Sequence, residues 1–92
     1  MREADKRREQ IERHPRQVRF QELDALLRSY GFRRRQRSRG SSHYVYRRGR
    51  WHLTVPAHRP HLRLYVVLEA LVILREIDAE AGPEPERGEG EE

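Results

Sequence analysis

Apolar side chains recur along this chain with two different periods, and the changes of period mark out its elements. Between Val18 and Tyr30 the large residues Phe20, Leu23, Leu27 and Tyr30 return at steps of three and four, and Leu26 widens the stripe. This spacing predicts an amphipathic helix. Glu22 and Asp24 suit its first turn through the helix dipole, and Gly31 supplies its stop. The period then shortens. Phe32 to Arg39 reads as an arginine-rich strand, His43 to Arg48 as a short aromatic one, and Trp51 to Pro56 as an alternating one. In the last of these, Trp51, Leu53 and Val55 share one face while His52 and Thr54 share the other. The turns Arg39-Gly40-Ser41-Ser42 and Arg48-Gly49-Arg50 carry the glycines that hairpins use, and Pro56 and Pro60 end the sheet.

His61 to Glu80 returns to a helical period with unusually high apolar content. One stripe is Leu64, Val67, Leu68, Leu71 and Leu74; a neighbouring one is Val66, Ala70, Ile73 and Ile77. A single sheet covers one side of a helix, so the second stripe calls for another partner: the first helix, a second copy of the chain, or another protein. Residues 1–17 form a charged N-terminal extension whose one large aliphatic residue is Ile11, broken by Pro15 and expected to lie outside the core. Residues 18–80 form the domain, and residues 81–92 an acidic tail read as disordered. The expected fold class is α+β in the order α-β-β-β-α, with a three-stranded antiparallel sheet and both helices on one face.

Charge sharpens this picture. The 92 residues carry a net charge of +5, spread unevenly. Arg13 to Arg63 holds 14 arginines against Glu22 and Asp24, whereas Pro83 to Glu92 holds five glutamates against Arg87. Nineteen of the 20 basic residues are arginine, the side chain that grips phosphate bidentately and stacks on bases. A basic body points to a nucleic acid, or to an acidic protein that occupies the same surface. The absence of cysteine excludes disulfides, thiolate chemistry and cysteine zinc sites. No apolar segment has the length of a membrane span, and no secretory signal is visible, so a cytoplasmic setting is expected.

The candidate chemistry centres on Gly40-Ser41-Ser42-His43. An imidazole moves protons near neutral pH, and a glycine turn lets backbone approach a phosphate closely. His43 is the candidate base for an RNA 2′-hydroxyl. Arg33, Arg35, Arg37, Arg39, Arg47 and Arg48, with Gly40 and Ser41, are the candidate RNA contacts. Arg39, Arg47 and Arg48 are the sequence neighbours of the turn best suited to a developing phosphoryl charge. His52 or water is left as the acid for the leaving oxygen. Trp51, Tyr44 and Tyr46 can stack on bases, but in so small a domain they are read as core or sheet surface. His58-Arg59-Pro60-His61 lacks the ligands of a metal site and reads as a polar loop; no metal or cofactor is expected.

Taken in order, Val18-Arg19-Phe20 with Leu23, Leu26 and Leu27, Tyr30-Gly31-Phe32, Gly40-Ser41-Ser42-His43, and Leu53-Thr54-Val55-Pro56-Ala57-His58 resemble the HicA-type (YcfA-like) mRNA interferase toxins. The resemblance spans residues 18–77. It implies a double-stranded-RNA-binding-domain-like fold, a metal-independent endoribonuclease that cleaves mRNA, a HicB-type antitoxin as partner, and His43 as the catalytic residue. The chain departs from the pattern at Ser42, where many members carry a second histidine, and in its N-terminal extension and acidic tail. Arg59, His61 and Arg63 stand where lysines are common. Two other readings are a non-catalytic RNA-binding module and a protein-interaction domain docking through its apolar last helix, the latter compatible with a homodimer.

Overall fold

A computed structural model describes residues 3–36, 40 and 42–80. It is an α+β arrangement of three helices and one antiparallel sheet among the described residues: α1 (Glu3–Arg13), α2 (Phe20–Ser29), β1 (Arg33–Gln36), β2 (His43–Arg48), β3 (Trp51–Pro56) and α3 (Leu64–Glu80). A short 3-10 turn, Pro15–Gln17, separates α1 from α2. The tail at 81–92 lies outside the described residues.

The end of α2 shows how local sequence positions the sheet. Gly31 adopts φ 89°, a left-handed conformation open to glycine. The Gly31 N–H donates to the Arg28 carbonyl (2.9 Å) and the Phe32 N–H to the Leu27 carbonyl (3.1 Å), which is the Schellman pattern. Phe32 and Leu27 are both buried, so the chain leaves the helix pinned to the core and enters β1. At the start of α2 the Glu22 carboxylate accepts the Arg19 backbone N–H at 2.8 Å, and the Glu22 N–H returns to the Arg19 carbonyl at 3.0 Å. The β2–β3 hairpin turns on Gly49-Arg50, with Gly49 at φ 56°.

The sheet has the order β1-β2-β3. Its register places Arg34 opposite Tyr46 and Tyr46 opposite Leu53, and these side chains face the helices. Tyr46, Leu53 and Val55 join Leu23, Leu26 and Leu27 of α2 and Val66, Val67, Ala70, Leu71, Leu74 and Ile77 of α3 in one buried cluster.

Two expectations are corrected. The N-terminal extension is not outside the core: Ile11 is 3% exposed and belongs to the same cluster. One aliphatic residue suffices because α1 is also held by ion pairs. Arg8 reaches the Tyr30 hydroxyl (2.6 Å) and the Asp78 carboxylate, and α1 carries internal pairs such as Arg8–Glu12 and Arg13–Glu9, both at 3.1 Å. The last helix begins at Leu64 rather than His61: its first turn closes on the Arg63 carbonyl, which accepts the Val66 and Val67 N–H groups (3.0 and 3.3 Å), while the buried Leu62 ahead of it donates its N–H to the Val18 carbonyl (2.7 Å). Of the partners open to the second stripe of α3, the first is the one observed: Val66, Ala70 and Ile77 join the core that α2 also builds, with Ile73 packed against it. Only Tyr65, Leu68 and Val72 remain as large exposed apolar side chains among the described residues.

Candidate functional site

Strand alternation sorts the cationic residues into two groups with different fates. On the helix side, Arg34 donates to Asp24 Oδ1 (3.2 Å) and lies 5.3 Å from the Tyr44 ring centroid. Arg48 donates to the Tyr30 carbonyl (2.9 Å) and lies 6.0 Å from the Trp51 centroid. Arg50 pairs with Glu80 and lies 4.4 Å from the Trp51 centroid. These guanidiniums hold the helices to the sheet. Arg48, grouped by sequence with the turn, therefore sends its guanidinium to the Tyr30 carbonyl on the helix side, although it also borders a groove with Arg33, Arg35 and Arg47.

Asp24 collects three donors: Arg34, the Tyr46 hydroxyl at 2.7 Å, and Arg28 at 3.9 Å. Burial pushes the Tyr46 phenol well above its ordinary value, and the hydrogen bond to Asp24 pushes it further. Tyr30 is raised chiefly by burial, partly offset by Arg8. Both hydroxyls are structural donors at neutral pH.

The opposite face of the sheet is exposed. Arg33 stands opposite Arg47, and Arg47 opposite His52; Arg35 stands opposite Val45, and Val45 opposite Thr54; His43 stands opposite Pro56. Paired residues in an antiparallel sheet point to the same side. Arg33, Arg35, Arg47, His43 and His52 therefore share one surface, and all five are exposed. Arg33, Arg35 and Arg47 have no ion-pair partner among the described residues. A groove of about 740 Å³ is lined by these three arginines together with Arg34, Gln36 and Arg48 and with Gly31 and Gly49 at the chain turns. Like charges directly opposite in a sheet destabilise it, so the Arg33–Arg47 pair favours an external anion.

His43 begins β2 at the other end of this surface. Arg47 lies four residues further along, about 13 Å away at strand rise. His52 is paired with Arg47 and is equally remote, so the structure does not bring it to His43 as an acid. Gly40, at φ 80° with open space around it, lies in the turn before β2. Arg37, Arg39 and Ser41, also candidate contacts, lie outside the described residues.

What the linear reading missed is the segment that passes beside His43. The Ala57 N–H donates to the Ser42 carbonyl at 2.8 Å, extending the β2–β3 pairing by one step and drawing His58 toward the His43 end. The His58 Nδ1 lies 3.1 Å from the His61 carbonyl. A carbonyl only accepts, so Nδ1 is the donor in this contact. The signal in the sequence was the spacing between the His43 turn and Ala57, which becomes meaningful only once the hairpin register is known.

Among the described residues no group of three or more His, Asp or Glu side chains could hold a metal ion, and no helix is long and apolar enough to cross a membrane. No protein-family model, no curated protein and no solved structure matches this chain.

Proposed function

We propose that the chain is a metal-independent endoribonuclease of the HicA toxin type, with RNA lying along the exposed sheet face and His43 taking the proton from a ribose 2′-hydroxyl. The observation that carries this reading is the row of arginines on that face, without carboxylate partners among the described residues, on a surface that also presents His43. The order of elements from α2 to α3 supports the double-stranded-RNA-binding-domain-like layout that the motif resemblance implies.

The oxygen freed from its proton attacks the adjacent phosphorus, the bond to the 5′-oxygen breaks, and water protonates that departing oxygen, leaving a 2′,3′-cyclic phosphate and a 5′-hydroxyl. Arginine donors and backbone N–H groups stabilise the charge that builds on the phosphoryl oxygens. A HicB-type antitoxin of acidic character would bind the same face by charge complementarity and exclude the RNA.

Labelled RNA incubated with the protein in a chelating buffer should yield fragments ending in cyclic phosphate. His43→Ala should slow their formation by about 10²–10⁴-fold while the circular dichroism spectrum is unchanged. Equal cleavage by the substituted protein would end the assignment. The distance of His52 from His43 favours a second reading, an RNA-binding module without cleavage; salt-sensitive binding with no fragments from the unsubstituted protein would select it.

A further inference from the structure

Around the sheet end from His43 lies a second cleft, of about 550 Å³. Its walls are Arg19, Phe20 and Gln21 where α2 begins, Tyr44 of β2, and Ala57, Arg59 and Pro60 beyond β3. The volume falls within the roughly 300–1,000 Å³ range of small-ligand sites. Phe20 and Tyr44 are half-buried against the core and also line the cleft; their ring centroids are 4.9 Å apart, their planes tilt by 39°, and Arg34 lies 5.3 Å from the Tyr44 centroid. Arg19 and Arg59 are exposed and have no ion-pair partner among the described residues, and Gln21 adds an exposed amide.

We infer that this cleft receives one unstacked base of a single-stranded RNA, with Arg19 and Arg59 on its phosphate. The inference rests on the RNA reading above and deepens it by naming the substrate class as single-stranded. Half-buried aromatic rings offer a stacking surface, two guanidiniums offer planar phosphate contacts, and the Gln21 amide can both donate to and accept from a base edge. Position supports the pairing with His43. Tyr44 is the next residue in β2 and points to the opposite face, while Ala57 is bonded to the residue before His43. A strand passing over this end of the sheet presents a phosphate to His43 and turns a neighbouring base into the cleft. A base held in a duplex cannot make that turn without unpairing.

The test uses a short RNA with 2′-methoxy groups throughout, which cannot be cleaved, and 2-aminopurine placed at each position in turn. One position should show quenched fluorescence on binding, and an abasic residue there should weaken binding about tenfold or more. Arg59→Ala and Gln21→Ala are surface changes expected to keep the fold; each should reduce the quench, and Tyr44→Leu should abolish it. Uniform fluorescence at all positions, an abasic penalty below about twofold, or equal affinity for duplex RNA would overturn the inference, as would binding of a protein partner in the cleft with no RNA quench. Because the probe resists cleavage, quenching without nuclease activity on ordinary RNA sinks only the nuclease reading. Cleavage without position-specific quenching sinks only the cleft.

Discussion

Tyr46 is the residue where packing, hydrogen bonding and titration meet. Its ring is fully buried, and its hydroxyl donates to a carboxylate that two arginines also approach. Removing the hydroxyl with Tyr46→Phe should cost about 1–3 kcal/mol at neutral pH, because Asp24 loses a donor. The same change should alter the response to alkali. Burial and Asp24 raise the folded-state phenol above its ordinary value near 10, so the folded protein keeps a proton that the unfolded chain has released. The associated stability is present below about pH 10 and is lost as pH rises toward the folded value. Tyr30 is shifted in the same direction, so Tyr46→Phe should shrink the alkaline loss without removing it. Urea midpoints compared at neutral pH and above pH 10 measure both effects; parallel curves for the two proteins would contradict the assignment.

At the scale of elements, α1 is the unexpected contributor. Its surface is charged almost throughout, and Ile11 is its only buried residue. The helix binds through that one anchor and through Arg8, whose hydrogen bonds to Asp78, Tyr30 and Glu12 outweigh the opposing effect of burial and keep the guanidinium charged. Ile11→Ala should destabilise the protein by about 2–5 kcal/mol, read from chemical denaturation. RNA affinity of the folded fraction should stay unchanged, because α1 supplies no side chain to the exposed sheet face. A loss below about 0.5 kcal/mol would mean that α1 docks by its ion pairs, which at exposed sites are worth little.

For the molecule as a whole, the division of charge between the two sheet faces is the governing feature. Arginines facing the helices are neutralised by Asp24 and Glu80 or bonded to backbone, and Arg33, Arg35 and Arg47 on the open face are not. The three arginines of this surface should contribute about −2 to the logarithmic salt slope of single-stranded RNA binding, at roughly 0.7 each. Arg47→Thr should reduce that slope by about 0.7 and weaken binding, while raising stability by about 0.2–1 kcal/mol through relief of the Arg33–Arg47 repulsion. Titrations across salt, paired with denaturation, test the opposing signs; a variant that is both weaker in binding and less stable would show that Arg47 holds the sheet together instead.

The second and third strands, both glycine turns that bound α2 and β3, and the alternation that buries Leu53 and Val55 were all legible in the chain, because turn geometry and strand period act over a few neighbouring residues. The core membership of Ile11 was not, since a lone aliphatic residue carries no period. Nor was the tie between Leu62, just ahead of α3, and Val18, which joins residues distant in the chain. The candidate site divides the same way. Residue types and the identity of His43 came from local sequence, but adjacency along a strand does not mean adjacency in space: each step adds about 3.3 Å and reverses the face. Folding alone therefore decided that Arg48 turns inward, that Arg47 and His52 lie far from His43, and that Ala57 closes beside Ser42.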